Sequence, residues 1–468
     1  MLQLAIIGIY FIVIIAIGLW SRKRVGSQEG FFVANREGTT FLITGSLVAT
    51  AVGGSATVGM AGLGFSWGLV GAWWLLVGTA GLLVLGFLFA KKVRHTGSYT
   101  LPELVRKQYG DKVALAASIL IVIAWVGIVA GQIVAAGKVL SILGMGSPLL
   151  WMIVFTVVFI SYSMLGGQLS IIRTDVFQAA MLFGGIFLAT GLLLTRVGGM
   201  EGLATSLPAS YFSFPVNPEF SWKMLVSMLI LVGATYVVGP DIYTRLFCAK
   251  GEGTAKRSVL LSAFLFIPLA FAIALIGMGA KVLYPQIPAE QAFPQVVSGI
   301  LSPAIGGLVL AALVAALMSS ADTCVMSQSI ILTNDIVKQA RGSLSDRAAL
   351  RLTRLGVLIL GVIALLLALV LKGVISSLFF AYTIFTSGLV VPVIAGFYRE
   401  KLKLTSQGAL AAVVGGGIVG LLGKIPVVDV PLKDDLGLIA FAISAVLLFA
   451  ISYLTRGNSV MSVSSLHH

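Results

Sequence analysis

Four oxygen-bearing side chains, Ser319, Ser320, Asp322 and Thr323, fall within little more than one helical turn in the run AALVAALMSSADTCVMSQSIILTND. A small hard cation takes several oxygens, mostly neutral, at short range, and three hydroxyls with one carboxylate supply such a set. A carboxylate in so apolar a stretch is costly and marks function by default. For each hydroxyl the competing partner is the carbonyl four residues earlier on its own helix. A second acid, Asp175, lies in IIRTDVFQ. It either joins an ion site, pairs with Arg173 or serves as the acid at a helix start. Carbonyl ligands would come from broken backbone. ATAVGGSATVGMAGLGF has Gly53 and Gly54 side by side near the middle of an apolar run, and LVGATYVVGPDIYTR has Gly233, Gly239 and Pro240. Non-helical backbone at membrane depth is tolerated where it lines a cavity or is buried in protein. Close helix packing is the other use of such glycines.

The elements that must hold these groups are membrane helices. The chain has 468 residues, 58% hydrophobic and only 10% charged, with a mean hydropathy of +1.06. A water-soluble surface of this size needs roughly 25% charged residues, so soluble enzymes, secreted disulfide scaffolds and disordered chains are excluded. An all-α polytopic membrane protein remains. Cys248 and Cys324 sit in unlike surroundings and predict no disulfide, and with His95, His467 and His468 the only histidines, a zinc or thiol site has no material. No GxxxxGK[ST] loop occurs, which argues against nucleotide binding.

Apolar runs long enough to cross ~30 Å of hydrocarbon number thirteen: 2–20, 40–66, 69–90, 113–143, 147–165, 174–197, 222–246, 258–284, 303–333, 353–371, 375–397, 406–423 and 435–455. The first lacks a cleavage site and reads as a retained helix. With the N-terminus outside, all but seven of the 31 Lys and Arg residues fall on the inner side. The exceptions are Lys138, Arg196, Lys223, Lys281, Lys372, Lys424 and Lys433. That asymmetry predicts an outer N-terminus and an inner C-terminus in a cell (inner or plasma) membrane. It also explains the net charge of +14 without a nucleic-acid partner. Lys138 is expected to snorkel outward. Segment 91–112 reads as a short inner amphipathic helix with Pro102 near its start, and 457–468 as a disordered tail. The two broken runs are the second and the seventh. They lie five spans apart, an odd number, so the halves they open would be inverted relative to each other. Inverted repeats of this kind hold their binding site at the midplane, between discontinuous helices.

Several segments resemble the sodium/solute symporter family. AALVAALMSSADTCVMSQSIILTND is similar to its signature helix, GGQLSIIRTDVFQ to its Gly-Gly…Thr-Asp…Gln segment, GPDIYTRLFCAK to the end of its sixth core helix, and SQEGFFVANR to its first inner loop. The resemblance runs over ~2–455. It implies a leucine-transporter-type fold with one leading helix, two inverted five-helix repeats and two trailing helices, thirteen transmembrane helices in all. The units would be 1–38 (leading helix and inner loop), 39–197 (first repeat), 198–400 (second repeat), 401–456 (trailing helices) and the tail 457–468. It further implies a co-transported sodium ion held by the carbonyls of Ala49, Val52 and Ala316 and the hydroxyls of Ser319 and Ser320. Asp175, Asp322 and Thr323 match the region of a second ion. The acid at 322 departs from the all-hydroxyl pattern there.

The activity implied is sodium-driven import of a small organic solute by alternating access, with no enzymatic step and no obligatory protein partner evident beyond the lipid bilayer. The stretch Val52 to Ala56 offers one hydroxyl, Ser55, and no charge, and no arginine falls at the middle of any apolar run. A small monocarboxylate or amino acid, held by backbone N–H groups at the positive end of a broken helix, is favoured over a sugar. Gly53, Gly54, Ser55, Trp73, Gln132, Tyr236, Tyr382 and Phe385 are the candidate solute contacts. Each aromatic has lipid-facing or core packing as its alternative. Two rivals stand beside this reading: proton coupling through Asp175 or Asp322, and a membrane solute sensor on the same fold.

Overall fold

The computed structural model describes residues 2–22, 28–144, 146–422 and 435–456. Lys23, Arg24, Lys424, Lys433 and the tail 457–468 lie outside the described residues. The described chain is helical. Its β contacts are two isolated bridges, Gly38 with Ala249 and Asn217 with Phe220. Among the described residues nine helices are long and apolar enough to cross a membrane, and four further apolar helices have 10–17 residues: Leu2–Ile17, Thr40–Ala51, Pro148–Met164 and Ser406–Leu422.

Seven elements matter for the site: α1 (Leu2–Arg22), α2 (Thr40–Ala51), α3 (Asp111–Ser141), α4 (Pro148–Val197), α5 (Pro240–Cys248), α6 (Pro303–Ile331) and α7 (Val374–Phe385). Their starts are written locally. Ser147 before Pro148 and Ser302 before Pro303 turn side-chain oxygens onto the N–H groups of Leu150 and Ile305, with proline in the first turn where its missing donor costs nothing. Thr39 does the same for Leu42 at the start of α2. The expected amphipathic helix is present as Leu101–Tyr109. Thr100 accepts from the Glu103 N–H, and Glu103 accepts from the Tyr99 N–H, a reciprocal cap.

α6 is the centre of the bundle. In the span it belongs to, 83% of the most apolar stretch is buried inside the protein, against 33% for Asp346–Leu371 and for Leu436–Thr455, which stand at the edge. It packs on α1, α2, α3, α4 and α5. Helices in lipid gain little from the hydrophobic effect against one another and associate through close packing and polar contacts, so the small residues and hydroxyls that crowd α6 suit that position.

Both broken runs are broken where expected. α2 stops at Ala51, Val52 leaves the helix with φ −94° and ψ 59°, and winding resumes at Ser55. The seventh run stops at Val238, and Gly239 turns out with ψ 131° before α5 begins. A loop expected between 165 and 174 is instead continuous helix. α4 runs on through a single kink at Gly167, with φ 58° and ψ −163°. That conformation is open essentially to glycine alone, and a Cβ there would stand 2.5 Å from the Phe31 ring. Gly167→Ala is therefore expected to lower stability by ~1–3 kcal/mol. A melting temperature in detergent unchanged from the parent protein would show that the kink relaxes freely.

Candidate ion and solute site

The α2 break meets α6 through four short contacts. Ser319 Oγ lies 2.8 Å from the Ala49 carbonyl and 2.9 Å from that of Ala316. Ser320 Oγ lies 2.6 Å from the Thr50 carbonyl and 3.3 Å from that of Ala316. Each hydroxyl has one proton and faces two carbonyls, so neither can satisfy both fully. The structure thus gathers Ala49, Ala316, Ser319 and Ser320, four of the five residues expected around sodium. Val52, the fifth, is the residue just past the end of α2, where the backbone leaves the helix. The Thr50 carbonyl joins the group, and the sequence reading had not named it.

Beside this cluster, Asp175 and Thr323 share one cation, and that cation is an arginine. Arg245 on α5 and Asp175 on α4 are both fully buried and pair at 2.9 Å. Asp175 also accepts from the Ser46 hydroxyl at 2.5 Å. Arg245 donates to Ser46 at 2.8 Å, to Thr50 at 3.1 Å and to Thr323. Thr323 passes the chain on, donating to Asp322 at 3.2 Å. Two expectations are corrected here. Arg245 is buried in the bundle and is no inner-loop charge, because it lies on the helix that begins at the Gly239 break. The partner of Asp175 is Arg245 and not Arg173.

The solute candidates divide. Gly53, Ser55, Gln132, Tyr236 and Tyr382 line a small cavity together with Ser320. Gln132 also closes the break, accepting from the freed Gly54 N–H at 2.6 Å. A Cβ at Gly53 would run into Ser320 Oγ and stand 2.7 Å from Gln132 Oε1. Glycine is thus required there by close approach. Gly54, Trp73 and Phe385 lie outside the cavity lining. Phe385 packs edge-on behind the wall, its ring centroid 4.4 Å from that of Trp125. Trp73 stacks on Phe214 and donates to the Pro215 carbonyl, away from the cavity. Its neighbour Trp74, about 100° further round the helix, is the tryptophan that turns inward, against Phe379 and Tyr382. The polar and aromatic lining residues that the sequence reading missed are Thr50, Trp125, Thr235, Asp241 and Cys324.

The cavity encloses about 30 Å³, room for one or two water molecules. On the side expected to be outer lies a second cavity of about 330 Å³, with Trp67, Met228 and Leu436 in its walls. Trp74 and Phe379 belong to its lining, and Tyr382 to that of the small cavity. These three rings form the partition. Toward the same end Lys138 meets Glu290, whose other oxygen accepts from the Val374 N–H at 3.2 Å. Lys138 is therefore tied to a neighbouring segment and does not snorkel. The arrangement offers no nucleophile paired with a base. It offers oxygens, a break in two helices and a small cavity with hydroxyl, carboxylate and aromatic groups in its walls.

Comparisons with known proteins agree on the kind of molecule this resembles. A family model described as the sodium:solute symporter family matches residues 31–416. The sodium/glucose cotransporter of Vibrio parahaemolyticus is 26% identical, covering 93% of this chain and 87% of its own. Sodium/glucose cotransporter 4 of Danio rerio is also 26% identical, covering 90% and 71%. Among solved structures, the substrate-bound outward-open state of a Na⁺-coupled sialic acid symporter superposes with a TM-score of 0.83 at 18% identity, over 97% of this chain and 98% of its own. MhsT in complex with L-phenylalanine superposes at 0.52, with 18% identity over 89% and 98%. At such identity the structural likeness speaks for the fold alone.

Proposed function

The chain belongs to the sodium:solute symporter family, and on that premise we propose that it carries a small organic solute across the membrane with one sodium ion, held where Ser319 and Ser320 meet the end of α2. Sodium is the co-transported ion and the chain is a multi-pass membrane protein. The observation that carries the site is the set of contacts from both serine hydroxyls to the Ala49, Thr50 and Ala316 carbonyls. An ion entering there turns the hydroxyl protons outward and takes the oxygens for itself. It ties α2 to α6 and so favours one arrangement of the bundle. A solute that prefers the same arrangement then binds more tightly, by ~1–3 kcal/mol of coupling.

The architecture we propose is the thirteen-crossing one: a leading helix, inverted repeats over 39–197 and 198–400, and two trailing helices, with an outer N-terminus. Nothing in this reading calls for a covalent step. The single sodium follows from Thr323. Its hydroxyl accepts from Arg245, donates to Asp322 and lies 3.4 Å from the Thr50 hydroxyl, which leaves it little to offer an ion. Asp322→Asn is accordingly expected to keep the sodium-dependent rise in melting temperature. Loss of that rise, with the fold intact, would put a second ion at Asp322.

Uptake into proteoliposomes with external sodium replaced by choline at fixed pH tests the coupling. Transport is expected to stop. Transport that continues on a proton gradient alone would favour the proton-coupled reading.

A further inference from the structure

We propose that the solute carries a protonated amine, and that Asp241 is the group that receives it. The proposal rests on the symport reading and goes on to name the chemistry of the cargo.

Asp241 is the second residue of α5, just beyond the Gly239 break, and it lines the small cavity together with Gly53, Gln132 and Ser320. An acid in the first turn of a helix has a plain structural use, since it meets the positive end of the helix dipole. That use does not require it to face a cavity, and it supplies no counter-charge. Arg245, one turn further along the same helix, is the natural partner at this spacing. Its guanidinium is instead turned to Asp175, Ser46, Thr50 and Thr323. Among the described residues Asp241 forms no ion pair, while Asp175 close by has one.

A second observation points into the same space. Trp125 on α3 is buried to within 1% and lines the cavity beside Asp241. Its indole N–H completes no hydrogen bond of full geometry, and it is turned toward the Asp241 carboxylate and Cys324. Tyr236 and Tyr382 supply aromatic surface to the same lining. The cavity therefore presents a carboxylate with no ion pair, an indole N–H beside it and ring faces. A carboxylate removed from water needs a cation, and aromatic faces attract one. An ammonium group answers both once the site closes over it. A carboxylate on the same solute finds the start of the second half of the broken α2 run. The simple monocarboxylate allowed by the sequence reading would bring its charge to this acid with no cation of its own to offset it.

The test uses the full-length protein in detergent and compares solutes that differ only at the amine: L-alanine with L-lactate, L-serine with glycerate, and L-phenylalanine with phenyllactate, with ethanolamine and D-glucose as further arms. Melting temperature is read in sodium chloride and in choline chloride. At least one amine-bearing solute is expected to raise it in sodium and not in choline, while its hydroxy-acid counterpart does not. In Asp241→Asn the concentration of that solute giving half the shift should rise about tenfold or more. The paired comparison stands on the parent protein alone if the variant fails to fold. Stabilisation by glucose or by a hydroxy acid with none from any amine overturns the proposal, as does a panel in which no amine acts, or an Asp241→Asn protein that binds the amine unchanged. A parent protein that sodium itself does not stabilise counts against the symport reading instead, so the two failures are distinct.

Discussion

Replacing Arg245 with glutamine is expected to cost ~3–5 kcal/mol of stability, the usual penalty for removing one partner of a buried ion pair. The guanidinium holds four residues on three elements: Ser46 and Thr50 on α2, Asp175 on α4 and Thr323 on α6. It does so from α5, the helix behind the second break. Glutamine keeps part of the length but not the charge or the fork, and Asp175 is left buried with the Ser46 hydroxyl as its remaining partner. Arg245→Lys restores the charge as a point and not as a planar donor set, so it should recover only part of the loss. The pair also predicts strong non-additivity. Asp175→Asn with Arg245→Gln should be more stable than the sum of the two single losses implies, because neither charge is then stranded. Melting temperatures of the four proteins in the cycle measure this directly. Losses that simply add would mean that the two side chains stabilise the bundle independently and that no clamp exists.

Arg245 also shows where sequence reasoning reached and where it stopped. The breaks at Gly53–Gly54 and Gly239–Pro240 were legible because glycine and proline interrupt a helix by their own chemistry. The hydroxyls at 319, 320 and 323 were legible because polar groups in an apolar run need partners. Arg245 was misread because a count of basic residues treats each one at the end of an apolar run as an interfacial charge. That treatment assumes a straight helix. Here the run is broken at Gly239, and the residues after the break form a helix whose side chains point back into the bundle. Asp241 was overlooked for a related reason. In GPD an acid after proline satisfies every rule for a helix start, so nothing local asked for a further role. Only the cavity and the absence of an ion pair make one visible.

Trp73 and Trp74 illustrate a finer limit. Two tryptophans in succession cannot share a face, and composition does not say which turns inward. Packing decides it. Trp73 finds Phe214 and the Pro215 carbonyl in the loop, leaving Trp74 to face Phe379. The continuous α4 is a similar case. The polar stretch GGQLSIIR reads as a loop, yet one glycine at positive φ lets the helix resume. Gln168 and Ser170 are then buried against neighbouring helices where the sequence pattern suggested solvent.

Ser319→Ala is expected to raise the sodium concentration for half-maximal effect by ~10- to 100-fold, since an oxygen in contact with a charge contributes ~1.5–3 kcal/mol and each 1.4 kcal/mol is about tenfold. Ser320→Ala should act in the same direction. The readouts are the sodium dependence of the melting temperature and, once a solute is in hand, of uptake. Both serines are buried and both bond to carbonyls without an ion, so a loss of stability alone would not identify an ion site. Ser329→Ala separates the two effects. Ser329 is also buried on α6, and its hydroxyl bonds back to the Val325 carbonyl at 2.7 Å, within its own helix. Its removal should leave the sodium dependence unchanged. Ser319→Thr keeps an oxygen on the same carbon and should retain much of the affinity if the added methyl is tolerated. The discriminating quantity is the difference between high and low sodium, not the melting temperature itself. An ion that bridges α2 and α6 contributes stability only when bound, by an amount that grows with its concentration over its dissociation constant. Alanine at 319 and at 320 should therefore shift that dependence to higher sodium while leaving the melting temperature in choline near that of Ser329→Ala. If both variants keep the parent sodium dependence, the ion lies elsewhere, and the contacts to Ala49 and Thr50 serve only to hold the broken helix in place.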